Sequence, residues 1–168
     1  MANKIKFDEK NCKILELLQK DCRISLTDIA KKIGLSVDST KKRIDKLNGE
    51  IFFPKIQLRP RHFGYNNVID VRIKLHNYTE KELNEFIEYL KSNPYIVEII
   101  STAGQWNLSL VLIAKDAMDL GVKTDAIKKK FGRIINEWSE SLTTAVYKFE
   151  NYEMDKLVRD EEKLKKRK

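Results

Sequence analysis

The feature that most constrains this sequence is a three-residue joint, Gly34-Leu35-Ser36, set between two short helical repeats. Ser25 opens the first repeat and stands three residues ahead of Asp28, the spacing of a capping box with Asp in place of the usual Glu. Leu26, Ile29, Ala30 and Ile33 share one helical face. Gly34 follows, the residue type at which helices commonly stop in a left-handed conformation. Ser36 offers an N-cap for the next helix, where Val37, Thr40, Ile44 and Leu47 recur at helical spacing before Asn48-Gly49 closes it. So short a joint cannot return the second helix antiparallel to the first. The two must cross steeply, as in a helix-turn-helix, with small Ala30 at the contact. An earlier helix opens at Asp8, with Phe7 as a hydrophobic staple and Cys12, Ile14, Leu15, Leu17 and Leu18 as its apolar stripe.

The helix after the joint has two unlike faces. One packs inward. The other carries hydroxyls and charges that can reach phosphates and base edges, and it points to double-stranded DNA as the partner. The candidate DNA-binding residues are Ser36, Asp38, Ser39, Thr40, Lys41, Lys42, Arg43 and Lys46, with the N-terminal half entering the major groove. The plain alternative is a solvated charged face on a three-helix domain. The stretch from Ile51 to Leu58 is rich in β-formers and contains Pro54. It predicts a short two-stranded wing, with Lys55, Arg59 and Arg61 placed for phosphates.

Charge supports this division. Residues 1–62 hold 15 Lys and Arg against 8 Asp and Glu, residues 63–155 hold 11 against 14, and residues 156–168 hold 7 against 3. A basic head and a basic end therefore flank a mildly acidic body, and the head is the part suited to a polyanion. No apolar run approaches the roughly 20 residues of a membrane helix, and the polar N-terminus lacks a signal-peptide core, so a cytoplasmic protein is expected. Cys12 and Cys22 are too far apart to suggest zinc and read as small buried hydrophobes. With His62 and His76 as the only histidines, no metal site, cofactor or catalytic residue is expected, and the chain reads as a non-enzyme.

Beyond a linker at 59–67, the pattern changes. Val68 to Leu75 alternates as a half-buried strand. Thr79 and Glu82 form a capping box for a helix carrying Leu83, Phe86, Ile87 and Leu90, which Asn93-Pro94 stops. Strands follow at Ile96 to Thr102 and Leu108 to Ala114, then a helix from Asp116 to about Phe131. A last strand is expected at Leu142 to Phe149, with Trp138 at its entrance. The order β-α-β-β-α-β is the ferredoxin-like plan, and the fold class is α+β. Helices cover one sheet face. Leu108, Leu110 and Leu112 alternate with Ser109, Val111 and Ile113, so this strand offers apolar side chains to both faces. Burial of the open face against a second copy predicts a homodimer, with tetramer and octamer left open. The expected domains are thus a winged helix-turn-helix at 1–58, a linker at 59–67, a ferredoxin-like domain at 68–150, and a polar, basic tail at 151–168 whose last part can be helical.

These residues resemble the Lrp/AsnC family of leucine-responsive and asparagine-operon regulators. The matching motifs are Phe7-Asp8, Ile14-Leu15 with Leu18, and Asp21-Cys22-Arg23-Ile24-Ser25, then Asp28-Ile29-Ala30, Ile33-Gly34-Leu35-Ser36, Arg43-Ile44 with Leu47, and Leu58-Arg59-Pro60 with Gly64. The resemblance spans about residues 7–150. It departs at Asn11, where Asp is usual, at Cys22, where Gly or Ala is common, and in a wing about two residues short. It implies a dimeric, sequence-specific DNA-binding transcriptional regulator modulated by a small, amino-acid-like effector. The family's effector turn carries Gly-x-aromatic-Asp, and here the residues are Ala103, Gly104, Gln105, Trp106 and Asn107. Asn107 in place of Asp removes an anionic partner for an ammonium group. A tight hairpin with Trp106 in a dimer core is the simpler reading of that turn.

Three other functions compete. The first is an architectural DNA-binding protein without operator specificity. The second is a haem-pathway decarboxylase-like enzyme, for which Arg59-Pro60-Arg61-His62-Phe63-Gly64 gives the only support. The third is an RNA-recognition module, which needs exposed aromatics that Leu108 to Ala114 lacks.

Overall fold

The computed structural model describes residues 7–165, with side chains described to residue 159. The elements are α1 (Glu9–Lys20), α2 (Leu26–Ile33), α3 (Val37–Leu47), a 3-10 turn at Pro60–Phe63, β1 (Asn67–Leu75), α4 (Glu80–Ser92), β2 (Ile96–Ser101), β3 (Leu108–Ala114), α5 (Ala117–Phe131), β4 (Ile135–Leu142) and α6 (Met154–Lys165). They fall into two compact units. One joins the chain up to Ile56 with the chain from Tyr147 onward, and the other is Gln57–Val146.

In the first unit, local capping chemistry sets the helix starts. Asp8 accepts from the Asn11 backbone N–H, Ser25 from Asp28 and Ser36 from Ser39. Asp28 returns its bond to the Ser25 hydroxyl at 2.6 Å. Gly34 ends α2 at φ +65°, left-handed as its position requires. Ile14, Leu15, Ile29, Ile33 and Leu47 are buried together at the centre of the three helices.

Three sequence expectations change in this unit. No two-stranded wing forms: after an isolated bridge between Asn48 and Phe52, the chain from Phe53 to Arg59 has no strand pairing among the described residues. The β-formers are present, but Pro54 among them has no backbone N–H to give to a ladder, and Phe53, Ile56 and Leu58 stay exposed. Cys22 is exposed, whereas Cys12 is buried, because Cys22 lies in the turn after α1 rather than on its inward stripe. The segment read as a tail contains α6, which packs on α1 through Met154. Of this tail, residues 166–168 lie outside the described residues.

In the second unit, four antiparallel strands run in the order β2-β3-β1-β4. Ile69, Val71, Ile73 and Leu75 of β1 and Leu108, Leu110, Leu112 and Ala114 of β3 point to one face, where Phe86 and Leu90 of α4 and Ile127 of α5 cover them. Thr79 and Glu82 complete the expected capping box of α4. The final strand lies seven residues earlier than its apolar pattern suggested. β4 is an edge strand on β1, so only part of one face needs apolar residues. Ile135 and Trp138 supply them, and Trp138 sits opposite Ile73 within the strand. The more apolar stretch after it is exposed, with Val146 at 64% and Tyr147 at 98%. On the other sheet face, the register aligns Asp70 with Val111 and Arg72 with Ser109, while β2 brings Glu98 and Ile100. That face is mixed rather than uniformly apolar.

Candidate nucleic-acid interface

Helix α3 presents a short, ordered edge of polar groups. The Ser36 hydroxyl accepts the Ser39 backbone N–H at 3.2 Å and donates to the Ser39 hydroxyl at 2.9 Å. Both side chains are exposed, and the cap fixes them at the start of the helix, where its dipole also favours an anion. Asp38 and Lys42 form an exposed pair at 2.8 Å, one helical turn apart. Lys41 and Lys46 are exposed and enter no ion pair among the described residues.

Two predicted contacts lie elsewhere. Thr40 is wholly buried, and its hydroxyl donates to the Ser36 carbonyl at 2.9 Å. It belongs to the packing face, one turn before Ile44 and two before Leu47. Arg43 is turned back on the fold. Its guanidinium donates to both oxygens of Asp8, at 2.9 and 2.7 Å, and to Asn11 Oδ1 at 2.9 Å. It fastens α3 to the start of α1. Lys55 is exposed in the unpaired segment after α3.

One residue of this edge escaped the sequence reading. Val37 was assigned to the inner face, yet it is 44% exposed. It is the first helical residue, so no turn precedes it to cover its side chain. Its position beside Ser36 and Ser39 suits a thymine methyl group, the apolar mark of the major groove. The signal was available: the apolar spacing holds from Thr40 inward, and Val37 is its last, uncovered member.

The turn from Thr102 to Asn107 was the second candidate. Ala103, Gly104 and Gln105 are exposed and Trp106 is half-buried. Gly104 has φ +136°, a conformation that a side chain would strain. The Thr102 hydroxyl donates to the Trp106 carbonyl at 2.7 Å, and the Asn107 side chain accepts the Leu75 backbone N–H at 2.7 Å. Asn107 and Thr102 also line a cavity of about 390 Å³ with Tyr78, Lys91 and Ser101, floored by Leu75, Leu83, Ile87, Ile99 and Leu108. Gly104 and Trp106 lie outside that lining. Among the described residues, no three of His, Cys, Asp and Glu group as metal ligands, and no helix is long and apolar enough to cross a membrane.

Residues 7–48 match the AsnC-type helix-turn-helix domain model. The chain is 34% identical over 133 residues to the HTH-type transcriptional regulator LrpA of Pyrococcus horikoshii, covering 76% of this chain and 87% of that protein. It is 28% identical to the proline dehydrogenase transcriptional activator of Rhizobium radiobacter, over 84% of this chain and 87% of the relative. Its fold matches an AsnC family transcriptional regulator from Agrobacterium tumefaciens with a TM-score of 0.77 at 24% identity, over 89% and 99% of the two chains. A Neisseria meningitidis transcriptional regulator, solved as a complex with L-Met, has the same fold at TM-score 0.77 and 16% identity, over 86% and 94%.

Proposed function

This chain belongs to the Lrp/AsnC family of DNA-binding transcriptional regulators, and from that premise we propose that it reads operator DNA with the exposed start of α3. Ser36, Val37 and Ser39 meet base edges, while Lys41, Lys42 and Lys46 hold the flanking phosphates and Asp38 orients Lys42. Lys55 adds a phosphate contact from the segment after α3. The observation that carries this reading is the exposed Ser36–Val37–Ser39 edge at a capped helix start, bordered by the exposed Lys41 and Lys46. Selection of binding sites from random DNA tests it. A recovered motif that changes in Val37→Ser or Ser39→Ala supports the assignment, and recovery of unselected DNA by the unaltered protein overturns operator specificity.

The same reading includes a homodimer joined through the open sheet face, so that two copies of α3 address two half-sites in the cytoplasm. Apolar Val111 and Ile100 within a charged surround support it. Light scattering that gives the monomer mass at working concentration would remove it. A small effector acting at the Thr102–Asn107 turn completes the proposal. Its support is the cavity beside Asn107 and the L-Met complex of a protein with the same fold. Titration calorimetry without heat from any of the common amino acids would overturn the amino-acid form.

A further inference from the structure

We propose that the cavity beside Asn107 takes an apolar carboxylate that carries no amino group, a 2-oxo acid or a fatty acid rather than an amino acid. The inference rests on the effector reading of the Thr102–Asn107 turn and names the chemistry of the ligand. The cavity holds about 390 Å³, a size that suits a small organic acid. It lies wholly within the second unit, between α4, the ends of β1 and β2 and the start of β3. Of the apolar residues on its floor, Leu75 and Leu108 are buried, but Leu83, Ile87 and Ile99 are only half-buried. An apolar tail seated there would complete their burial.

The polar rim decides what the other end of the ligand must be. Tyr78, Lys91, Ser101, Thr102 and Asn107 form it, and no carboxylate side chain lines the cavity among the described residues. The Asn107 amide is oriented by the Leu75 N–H, which Oδ1 accepts at 2.7 Å. Its Nδ2 is therefore left as a donor, with no acceptor among the described residues. The Lys91 ammonium donates to Glu88 at 2.7 Å, but the two side chains are 59% and 69% exposed. So wet a pair is weak, and the ammonium can turn to a ligand carboxylate at little loss. The Tyr78 and Ser101 hydroxyls can donate as well. Only the Thr102 hydroxyl is committed as an acceptor, because it gives its proton to the Trp106 carbonyl. A cation and an amide donor without an anion complement a carboxylate. They offer an ammonium hydroxyl oxygens alone, too few to replace its water. An amino acid carries its ammonium within two bonds of the carboxylate, so it would meet the same cation and be repelled. A 2-oxo group or a plain methylene avoids that conflict.

The test is titration calorimetry on the full chain with three matched pairs of acids. They are 4-methyl-2-oxopentanoate with leucine, phenylpyruvate with phenylalanine, and octanoate with 2-aminooctanoate. The first two pairs against the third separate a 2-oxo acid from a fatty acid. At least one amine-free acid should bind about tenfold or more tighter than its amino counterpart. Lys91→Gln should weaken that acid by about tenfold, and Lys91→Arg should restore it. Asn107→Asp keeps an oxygen for the Leu75 N–H but replaces the free donor by an anion, and it should narrow or reverse the preference. Ile87→Trp fills the cavity and should abolish binding, with circular dichroism confirming the fold. An amino acid that binds as tightly as its amine-free partner overturns the inference and leaves the effector reading intact. So does an acid affinity that Lys91→Gln and Asn107→Asp both leave unchanged. Heat from none of the six probes overturns the inference, and silence from all the common amino acids as well removes the effector reading with it. If no probe binds and Ile87→Trp lowers the mass by light scattering, a second copy covers the cavity and the inference is overturned.

Discussion

Arg43 and Asp8 stand 35 positions apart, yet the guanidinium donates to both carboxylate oxygens and ties the middle of α3 to the N-cap of α1. Arg43 was expected to face DNA, but its fork is committed inside the unit. Both side chains remain about one-third exposed, 33% and 31%, so solvent limits the value of the pair. Arg43→Ala should cost about 1 kcal/mol in the unfolding of this unit. Circular dichroism is the suitable probe, because Trp106 and Trp138 both report on the other unit. Lys41→Ala with Lys42→Ala should do the reverse, leaving unfolding almost unchanged and flattening the salt slope of DNA binding by about 2. Equal losses of DNA affinity and no stability difference between the two variants would contradict this division of roles.

The sequence was most informative where a structural decision depends on neighbours in the chain. Asp8, Ser25, Ser36, Thr79 and Asp116 each cap a helix by accepting an N–H three residues on, and all were legible. Gly34 likewise announces its own left-handed turn. Partners far along the chain were not legible. Arg43 looks like any exposed cation of α3 until Asp8 and Asn11 are placed beside it. β4 was missed because an edge strand on β1 can carry Asn136, Glu137, Ser139 and Ser141, while exposed Val146 and Tyr147 mimic a strand pattern. That the last part of the tail can be helical was legible, but its place against α1 was not, because the partner surface that Met154 meets lies far along the chain.

Asn107 is first a structural residue. Its Oδ1 accepts the Leu75 N–H and its own N–H donates to the Ile73 carbonyl, so it stitches the turn before β3 to the end of β1. Asn107→Ala should leave the Leu75 N–H without that acceptor and destabilise the sheet unit by about 1–2 kcal/mol. Asn107→Asp keeps an oxygen at the same place and should restore most of the loss. The replacement of the family's Asp is therefore tolerated by the turn itself. Tryptophan fluorescence during urea unfolding measures both variants, and an Asp variant as unstable as the Ala variant would show that the oxygen is not what matters.

Lys123 is nearly enclosed in the second unit, over the rings of Tyr95 at 3.9 Å and Tyr65 at 5.3 Å, and its ammonium is paired with Asp119. That hydrogen bond, with a second from the Lys115 N–H, holds the Asp119 carboxyl below the usual carboxylate range. A depressed carboxyl stabilises the fold above its unfolded pKa of about 4, and the contribution is lost as pH falls through the lower folded value. Asp119→Asn should therefore unfold at lower urea than the unaltered chain at pH 7, and the gap should narrow below about pH 4. A gap that stays constant from pH 7 to pH 3 would argue that packing, not ionisation, explains the difference.

The two thiols should differ sharply in reactivity. Cys22 is exposed in the turn after α1. Cys12 is 2% exposed between α1 and its neighbours, and burial, followed by the nearby carboxylates of Asp155, Glu16 and Asp8, pushes its pKa up. Both effects keep Cys12 protonated and shielded, while the thiolate is the reactive form. An aromatic disulfide reagent at pH 8 should release one equivalent quickly and the second only as the first unit opens. Cys22→Ser should remove the fast phase alone. Because Asp155 belongs to α6, Met154→Asp, which puts a charge at the apolar anchor of α6 on α1, should also hasten the slow phase, and an unchanged slow phase would show that α6 does not shield Cys12.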